Sequence, residues 1–306
     1  MEITPVEPRT LFFDVPVAGA EGTHKVAVYE WRNKEGAAGT VFCVHGLTRN
    51  GRDFDVLANA LAENYRVLSV DIAGRGKSEW HNDPALYNYG SYVADIVYLV
   101  THLQLSSVHW IGTSMGGILG MMLAASAPKL FRTLTLNDIG CMVPAAGLNR
   151  IIKYVALTNF KTRALAENEL RIRCAPYGIK SEEKWQHLFS HSIQETENGE
   201  FRLAYDAAIG KALTTSPETP LQDVNLWPLW ESVKTIPTLL IRGAQSDLLT
   251  HQTAIEMEKT HPDFSLLEID GVGHAPALMD EVQINAIKKW LGIEGKKPRK
   301  QENEKL

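Results

Sequence analysis

The sequence predicts an α/β protein, a doubly wound and mostly parallel sheet that carries one helical insertion. Three observations predict it. Short β-rich runs alternate with segments of helical periodicity through the first half of the chain. Two of those runs, Thr40 to Gly46 and Tyr65 to Asp71, are continuously apolar rather than alternating, as expected where both faces of a sheet are covered. The alternation breaks off once, near Cys141, and resumes after Trp230.

The elements follow in order. "LFFDVPVAGAEGTHKVAVYEWR" offers two strands around a Gly-rich turn and is expected to form an antiparallel edge. "TVFCVHG" (Thr40 to Gly46) and "YRVLSVD" (Tyr65 to Asp71) are continuous apolar strands, and between them "DFDVLANALAENY" sets Phe54, Leu57, Ala58 and Leu61 at helical spacing. A helix "YVADIVYLVTHLQL", a strand "SVHWIGT", a helix "MGGILGMMLAASAP" and a strand "FRTLTLND" continue the winding. From about Cys141 to Trp230 there are helical stripes but no convincing strand: Leu148, Ile151, Ile152 and Val155 form one, Trp185, Leu188, Phe189 and Ile193 another. Strand, helix and strand return with "PTLLIRG", "QTAIEMEKTH" and "FSLLEIDGVGH", and "DEVQINAIKKWL" closes the core. The expected organisation is therefore a core in two parts, 1–140 and 231–293, an insertion over 141–230, and a charged, disordered tail over 294–306, "EGKKPRKQENEKL".

Composition narrows the function classes. A chain of 306 residues can hold one large domain with an insertion. With 44% hydrophobic and 22% charged residues it reads as globular rather than disordered or fibrous. The net charge of −5 lacks the basic balance of a nucleic-acid binder, so no nucleic-acid partner is expected. Cys43, Cys141 and Cys174 are odd in number, far apart and without a CxxC pair, which fits a reduced, cytoplasmic setting. The start "MEITPVEPRT" has acids and prolines where a secretion signal has a basic and then an apolar stretch, and no run of 18 apolar residues appears, so no membrane span is expected. The pattern names no oligomeric state.

The chemistry centres on "HWIGTSMGGILG". A Gly-x-Ser-x-Gly string arises by chance in roughly one such chain in ten. Here an apolar strand leads into it and a helix leads out, the setting in which the serine sits on a sharp turn. Gly112 and Gly116 remove Cβ atoms that would collide in so tight a bend. A serine hydroxyl is a weak nucleophile until a base takes its proton and a third group holds that base. His274, in "DGVGHAPALMD", follows a strand within a Gly-rich loop. Asp247, in "LLIRGAQSDLLT", follows the preceding strand, and both should project at the carboxyl end of the sheet with Ser114. Asp138, in "LTLNDIG", also ends a strand on that side; the chain order Ser, Asp, His leads to Asp247 as the expected acid, with Asp138 the alternative. The developing oxyanion needs two N–H donors, expected from the backbone of Met115, at the start of the helix, and of Leu47, in the turn "CVHGLTRN". No HExxH or P-loop pattern occurs, so no metal or organic cofactor is implied.

Taken together, "HGLTRN", "DIAGRGKS", "GTSMGG", "RGAQSD" and "GVGHAP" give the chain a resemblance to the α/β-hydrolase fold superfamily, and to its serine carboxylesterases, over about Val41 to Leu291. The resemblance implies Ser114 as nucleophile, Asp247 as acid, His274 as base, and a lid made by the insertion between the sixth and seventh core strands. Thr113 and Ala73 depart from the pattern, standing where relatives often have His, and Arg or Pro. A serine at 114 argues against haloalkane dehalogenase and epoxide hydrolase chemistry, which need a carboxylate there.

The expected reaction is hydrolysis of carboxylic esters through an acyl-enzyme, on hydrophobic small-molecule or oligomeric substrates that could include aliphatic polyesters. A general base has to be neutral, so kcat/KM is expected to rise with pH around the ordinary histidine value of roughly 6.5. Two alternatives stand beside it: a C–C bond hydrolase acting on a vinylogous diketone, and a non-catalytic ligand receptor on the same scaffold. Other polar residues read as structural. His45 fixes its turn, His109 is a satisfied core histidine, Asp71 is a loop or cap residue, His191 packs a helix, and Cys43 is core.

Overall fold

A computed structural model describes residues 6–32, 37–213 and 221–293. Its frame is an eight-stranded sheet. β1 (Arg9–Pro16) and β2 (Thr23–Trp31) form the antiparallel hairpin expected at one edge. β3 (Thr40–Val44), β4 (Arg66–Val70), β5 (Val108–Thr113) and β6 (Phe131–Asn137) follow as parallel strands, and β2 joins β4 antiparallel. Within the insertion lie β7 (Met142–Val143), β8 (Asn159–Phe160), β9 (Ile193–Glu195), β10 (Phe201–Leu203) and β11 (Val224–Asn225). β12 (Thr238–Gly243) and β13 (Phe264–Ile269) return to the large sheet, whose order is β1-β2-β4-β3-β5-β6-β12-β13.

Both faces of this sheet are covered, which explains the unbroken apolar runs. Val41 and Cys43 of β3 pack in one core cluster with α1 (Asp55–Leu61) and α10 (Glu281–Trp290). Phe42 and Val44, pointing the other way, share the second cluster with residues of α2 (Tyr89–His102) and α3 (Met115–Ser126). From β3 the chain goes to β4 on one side and then to β5 on the other, so the order reverses between β3 and β5. A crevice opens beyond the carboxyl ends of the strands at such a point.

The segment 141–230 is mainly helical, with α4 (Ala145–Val155), α5 (Arg163–Cys174), α6 (Glu182–Ser192), α7 (Ala208–Leu213) and α8 (Trp227–Val233). The expectation of no convincing strand there is corrected by five strands of two or three residues among the described residues, which form a three-stranded and a two-stranded sheet. Such short strands show no period for a pattern to reveal. α9 (His251–Thr260) connects β12 to β13. The tail 294–306, expected to be disordered, lies outside the described residues. Among the described residues no helix is long and apolar enough to cross a membrane.

Candidate active site

The turn between β5 and α3 places Ser114 at φ 51° and ψ −114°, a left-handed conformation that costs a non-glycine residue of order 1–3 kcal/mol. The surroundings hold it there. The Ser114 amide donates to the Asn137 carbonyl of the neighbouring strand, at 2.9 Å. A Cβ on Gly116 would overlap the Val44 carbonyl oxygen, and one on Gly112 would overlap the Gly116 carbonyl, so α3 can approach β3 and β5 only with glycine at both positions. The flanking glycines thus follow from the closeness of the bend.

His274 reaches the serine from the loop after β13. Ser114 Oγ donates to His274 Nε2 at 3.0 Å. On the other side of the ring, Nδ1–H donates at 2.7 Å to Oδ2 of Asp138, not of Asp247. Asp138 follows β6 directly, at φ 56°, and is fully buried. Its Oδ1 accepts from the Gly243 amide at 2.8 Å and its Oδ2 from the Ser246 hydroxyl at 2.5 Å. Ser246 Oγ in turn accepts from the amides of Leu248 and Leu249, which leaves its proton for the carboxylate. A buried carboxylate supplied with three donors is held in place.

Asp247, the expected acid, is therefore corrected. Its side chain is 40% exposed, and Arg150 of α4 binds it in a bidentate pair at 2.6 and 2.9 Å. Burial opposes ionisation of Asp247, but the Arg150 hydrogen bond and charge outweigh it and hold the carboxyl below its usual range. The chain order that led to Asp247 is equally satisfied by Asp138. The deciding feature is reach: β6 lies beside β5, and no residue separates Asp138 from the end of its strand.

Of the expected oxyanion donors, Met115 follows Ser114 directly and Leu47 follows Gly46, where a Cβ would stand 3.7 Å from that of Ser114. Both line a cavity of about 590 Å³ that opens onto Ser114. Met115 begins α3, where the first amides have no acceptor within the helix. Leu47 sits in a turn that its neighbours hold rigidly. His45 Nδ1–H donates to the Gly46 carbonyl at 2.7 Å and His45 Nε2 accepts from the Ile72 amide at 3.0 Å, so both ring nitrogens are used. Burial pushes this imidazole down to about 3, against the opposing influence of its bond to Gly46, and it stays neutral. Because the peptide is planar and trans, fixing the Gly46 carbonyl also fixes the opposite direction of the Leu47 N–H. Arg75, fully buried, donates to the Leu47 carbonyl at 2.9 Å. Asn137 joins the two halves of the site, donating to Thr113 Oγ1 and to the Pro276 carbonyl in the His274 loop.

Sequence reasoning named Asp138 only as the alternative to Asp247 and gave Arg75, Asn137 and Ser246 no part. The available signal for Asp138 was its place directly at a strand end; nothing local marks the other three. His45 and His109 behave as read, His109 bonding Thr133 within the core. Asp71 accepts from the amides of Gly51 and Lys77 and from Tyr29, bracing two loops. Burial still pushes its carboxyl up to about 6, against these three bonds.

The larger cavity has apolar walls. Ile118, Met122 and Ile139 come from the core, Leu148, Ile151 and Ile152 from α4, and Leu226 and Leu229 from the end of the insertion. A smaller, more polar recess that also borders Ser114 is bounded by Thr48, Arg49, Tyr154 and Tyr177.

A family model described as alpha/beta hydrolase fold matches residues 39–280. The chain belongs to this family. Among relatives in the alpha/beta hydrolase fold family, a 3-hydroxybutyrate-oligomer hydrolase of Cupriavidus necator is 38% identical over 86% of this chain and 91% of its own length. A solved protein of Rickettsia typhi superposes with a TM-score of 0.85 at 35% identity, covering 95% of this chain and all of the other. An alpha/beta hydrolase from Novosphingobium aromaticivorans gives a TM-score of 0.83 at 31% identity over 94% and 98% of the two chains.

Proposed function

We propose that the protein hydrolyses carboxylic esters through an acyl-enzyme, with Ser114 as nucleophile, His274 as general base and Asp138 as the acid that orients and stabilises the imidazolium. One observation carries this reading: an unbroken hydrogen-bonded line from Ser114 Oγ through His274 to a buried carboxylate, opening onto an apolar cavity. His274 takes the serine proton as Oγ attacks the carbonyl carbon. The oxyanion is received by the amides of Leu47 and Met115. The ester C–O bond breaks and the alcohol leaves with the proton from His274. Water, deprotonated by the same ring, then releases the acid.

The walls given by α4 and α8 suit an aliphatic acyl or alcohol group. The similarity to a 3-hydroxybutyrate-oligomer hydrolase, which runs over nearly the whole of both chains, supports short aliphatic polyesters as substrates. In this reading the segment 141–230 acts as a lid over the serine, and its helices choose the substrate. Purified protein is tested on p-nitrophenyl esters of graded acyl length and on 3-hydroxybutyrate oligomers, with fluorophosphonate labelling followed by peptide mapping. Turnover together with label on Ser114, both lost in Ser114→Ala, is the expected result. Binding of esters without turnover and without label would instead show a receptor.

A further inference from the structure

α6 presents His187 and His191 to the core. Four residues apart, they share one helix face. Nε2 of His187 lies 3.4 Å, and Nε2 of His191 3.9 Å, from Oδ2 of Asp55 at the start of α1, and the three atoms all lie within 4.8 Å of one another. We propose that Asp55, His187 and His191 form a binding site for a borderline-soft divalent cation such as Zn²⁺, linking the insertion to the core away from Ser114.

The spacing is that of metal ligands. Zinc bonds of 2.0–2.2 Å in a tetrahedron put neighbouring ligand atoms roughly 3.3 Å apart, so small side-chain rotations close the set. Two imidazoles and one carboxylate are a usual donor set for Zn²⁺, and imidazole nitrogens are not ligands that Mg²⁺ or Ca²⁺ favour. The two imidazoles are about a quarter exposed, 27% and 25%, which leaves the fourth position to water.

The obstacle is Arg52, whose Nη2 and Nε stand 2.6 and 2.8 Å from Oδ2 of Asp55. Arg52 also donates from Nε to the second oxygen of Asp55, Oδ1, at 2.9 Å, and from Nη2 to Glu7 at 2.8 Å. Asp55 can therefore turn Oδ2 to the ion and keep Oδ1 on the guanidinium, which then serves as an outer-shell partner to a ligating carboxylate. His187 Nε2, now 3.2 Å from the Arg52 carbonyl, gives up that contact, and its proton moves to Nδ1. Beside the site, Asn50 Nδ2 donates to the His191 carbonyl and Arg49 Nη2 to Ser192 Oγ. The ion would thus tie α6 to the turn that also carries Leu47.

The test is calorimetric titration of the full chain with ZnCl₂, alongside thermal unfolding. Wild type should bind one Zn²⁺ and gain thermal stability, while MgCl₂ does neither. His187→Ala and His191→Ala should each raise Kd by more than the roughly 10- to 100-fold typical of outer-shell changes. His251→Ala, at an exposed residue that begins α9, should leave Kd unchanged. His187→Gln and His191→Gln, whose side chains fill similar space, are measured in parallel, so that loss of folding in an alanine variant does not decide the matter. Absence of saturable Zn²⁺ binding in wild type, or binding that persists when both histidines are replaced, overturns the proposal.

Discussion

Three donors converge on Asp138, from the Gly243 amide, the Ser246 hydroxyl and the His274 ring, while Asp247 spends both oxygens on Arg150. Asp138→Asn is expected to lower kcat by roughly 10⁴, because an amide at that place no longer selects the Nδ1–H form of the ring. Asp247→Asn should change kcat only a few-fold. Steady-state kinetics of the two variants separates the assignments, and the reverse ranking would return the acid to position 247. His45 gives a second prediction at this scale. It orients the Gly46–Leu47 peptide, so His45→Ala should lower kcat by up to the 10²- to 10³-fold typical of a lost oxyanion donor, with KM little changed. Ser114 and His274 were legible in the sequence because each lies in a short Gly-containing turn directly after an apolar run. The acid was not, because strand adjacency decides it: nothing in the pattern says that β6 lies between β5 and β12, or that Arg150, 97 positions away, occupies Asp247.

The unit β5, turn and α3 works as one piece, with its strain concentrated at Ser114 and its closeness set by Gly112 and Gly116. A methyl group on Gly116 would meet backbone, the Val44 carbonyl, and backbone in the middle of a sheet cannot step aside. Gly116→Ala should therefore destabilise by about 3 kcal/mol, at the upper end for overpacking, read as a lower midpoint in urea unfolding. Gly199→Ala, where a Cβ has open space, is the control. It carries only the cost of φ 76°. At this scale the large sheet was readable almost strand by strand, since β3, β4, β5 and β12 are buried on both sides and so carry apolar residues on both faces. The small strands β7 to β11 were not, because two or three residues cannot display a period of two, and their partners are set by how the insertion folds back on itself.

For the molecule as a whole, acid should weaken the fold in a traceable way. His45 is held neutral with its value depressed to about 3, whereas the unfolded chain takes up a proton near the ordinary histidine value of roughly 6.5. The stability this group supplies is fully present above that value and is lost as pH falls toward 3. The loss is about 1.4 kcal/mol per pH unit, or about 2 kcal/mol between pH 6.5 and 5. His45→Gln should remove that share, so the stability gap between wild type and variant, measured by urea unfolding, should narrow from pH 7 to pH 5. A constant gap would mean that the folded ring takes up its proton over the same pH range as the unfolded chain. The route of the hydrogen bonds from Ser114 has a last consequence. With the relay completed by β5, β6 and the loop after β13, the turn after β12 passes no proton but has two attachments: Ser246 steadies Asp138, and Asp247 beside it fastens α4 through Arg150. The pocket-shaping helix and the reacting atoms thus hang from neighbouring pegs. A designer could recut Leu148, Ile151 and Ile152 to admit a bulkier ester, provided Arg150 is kept, because its loss frees the turn that braces the carboxylate.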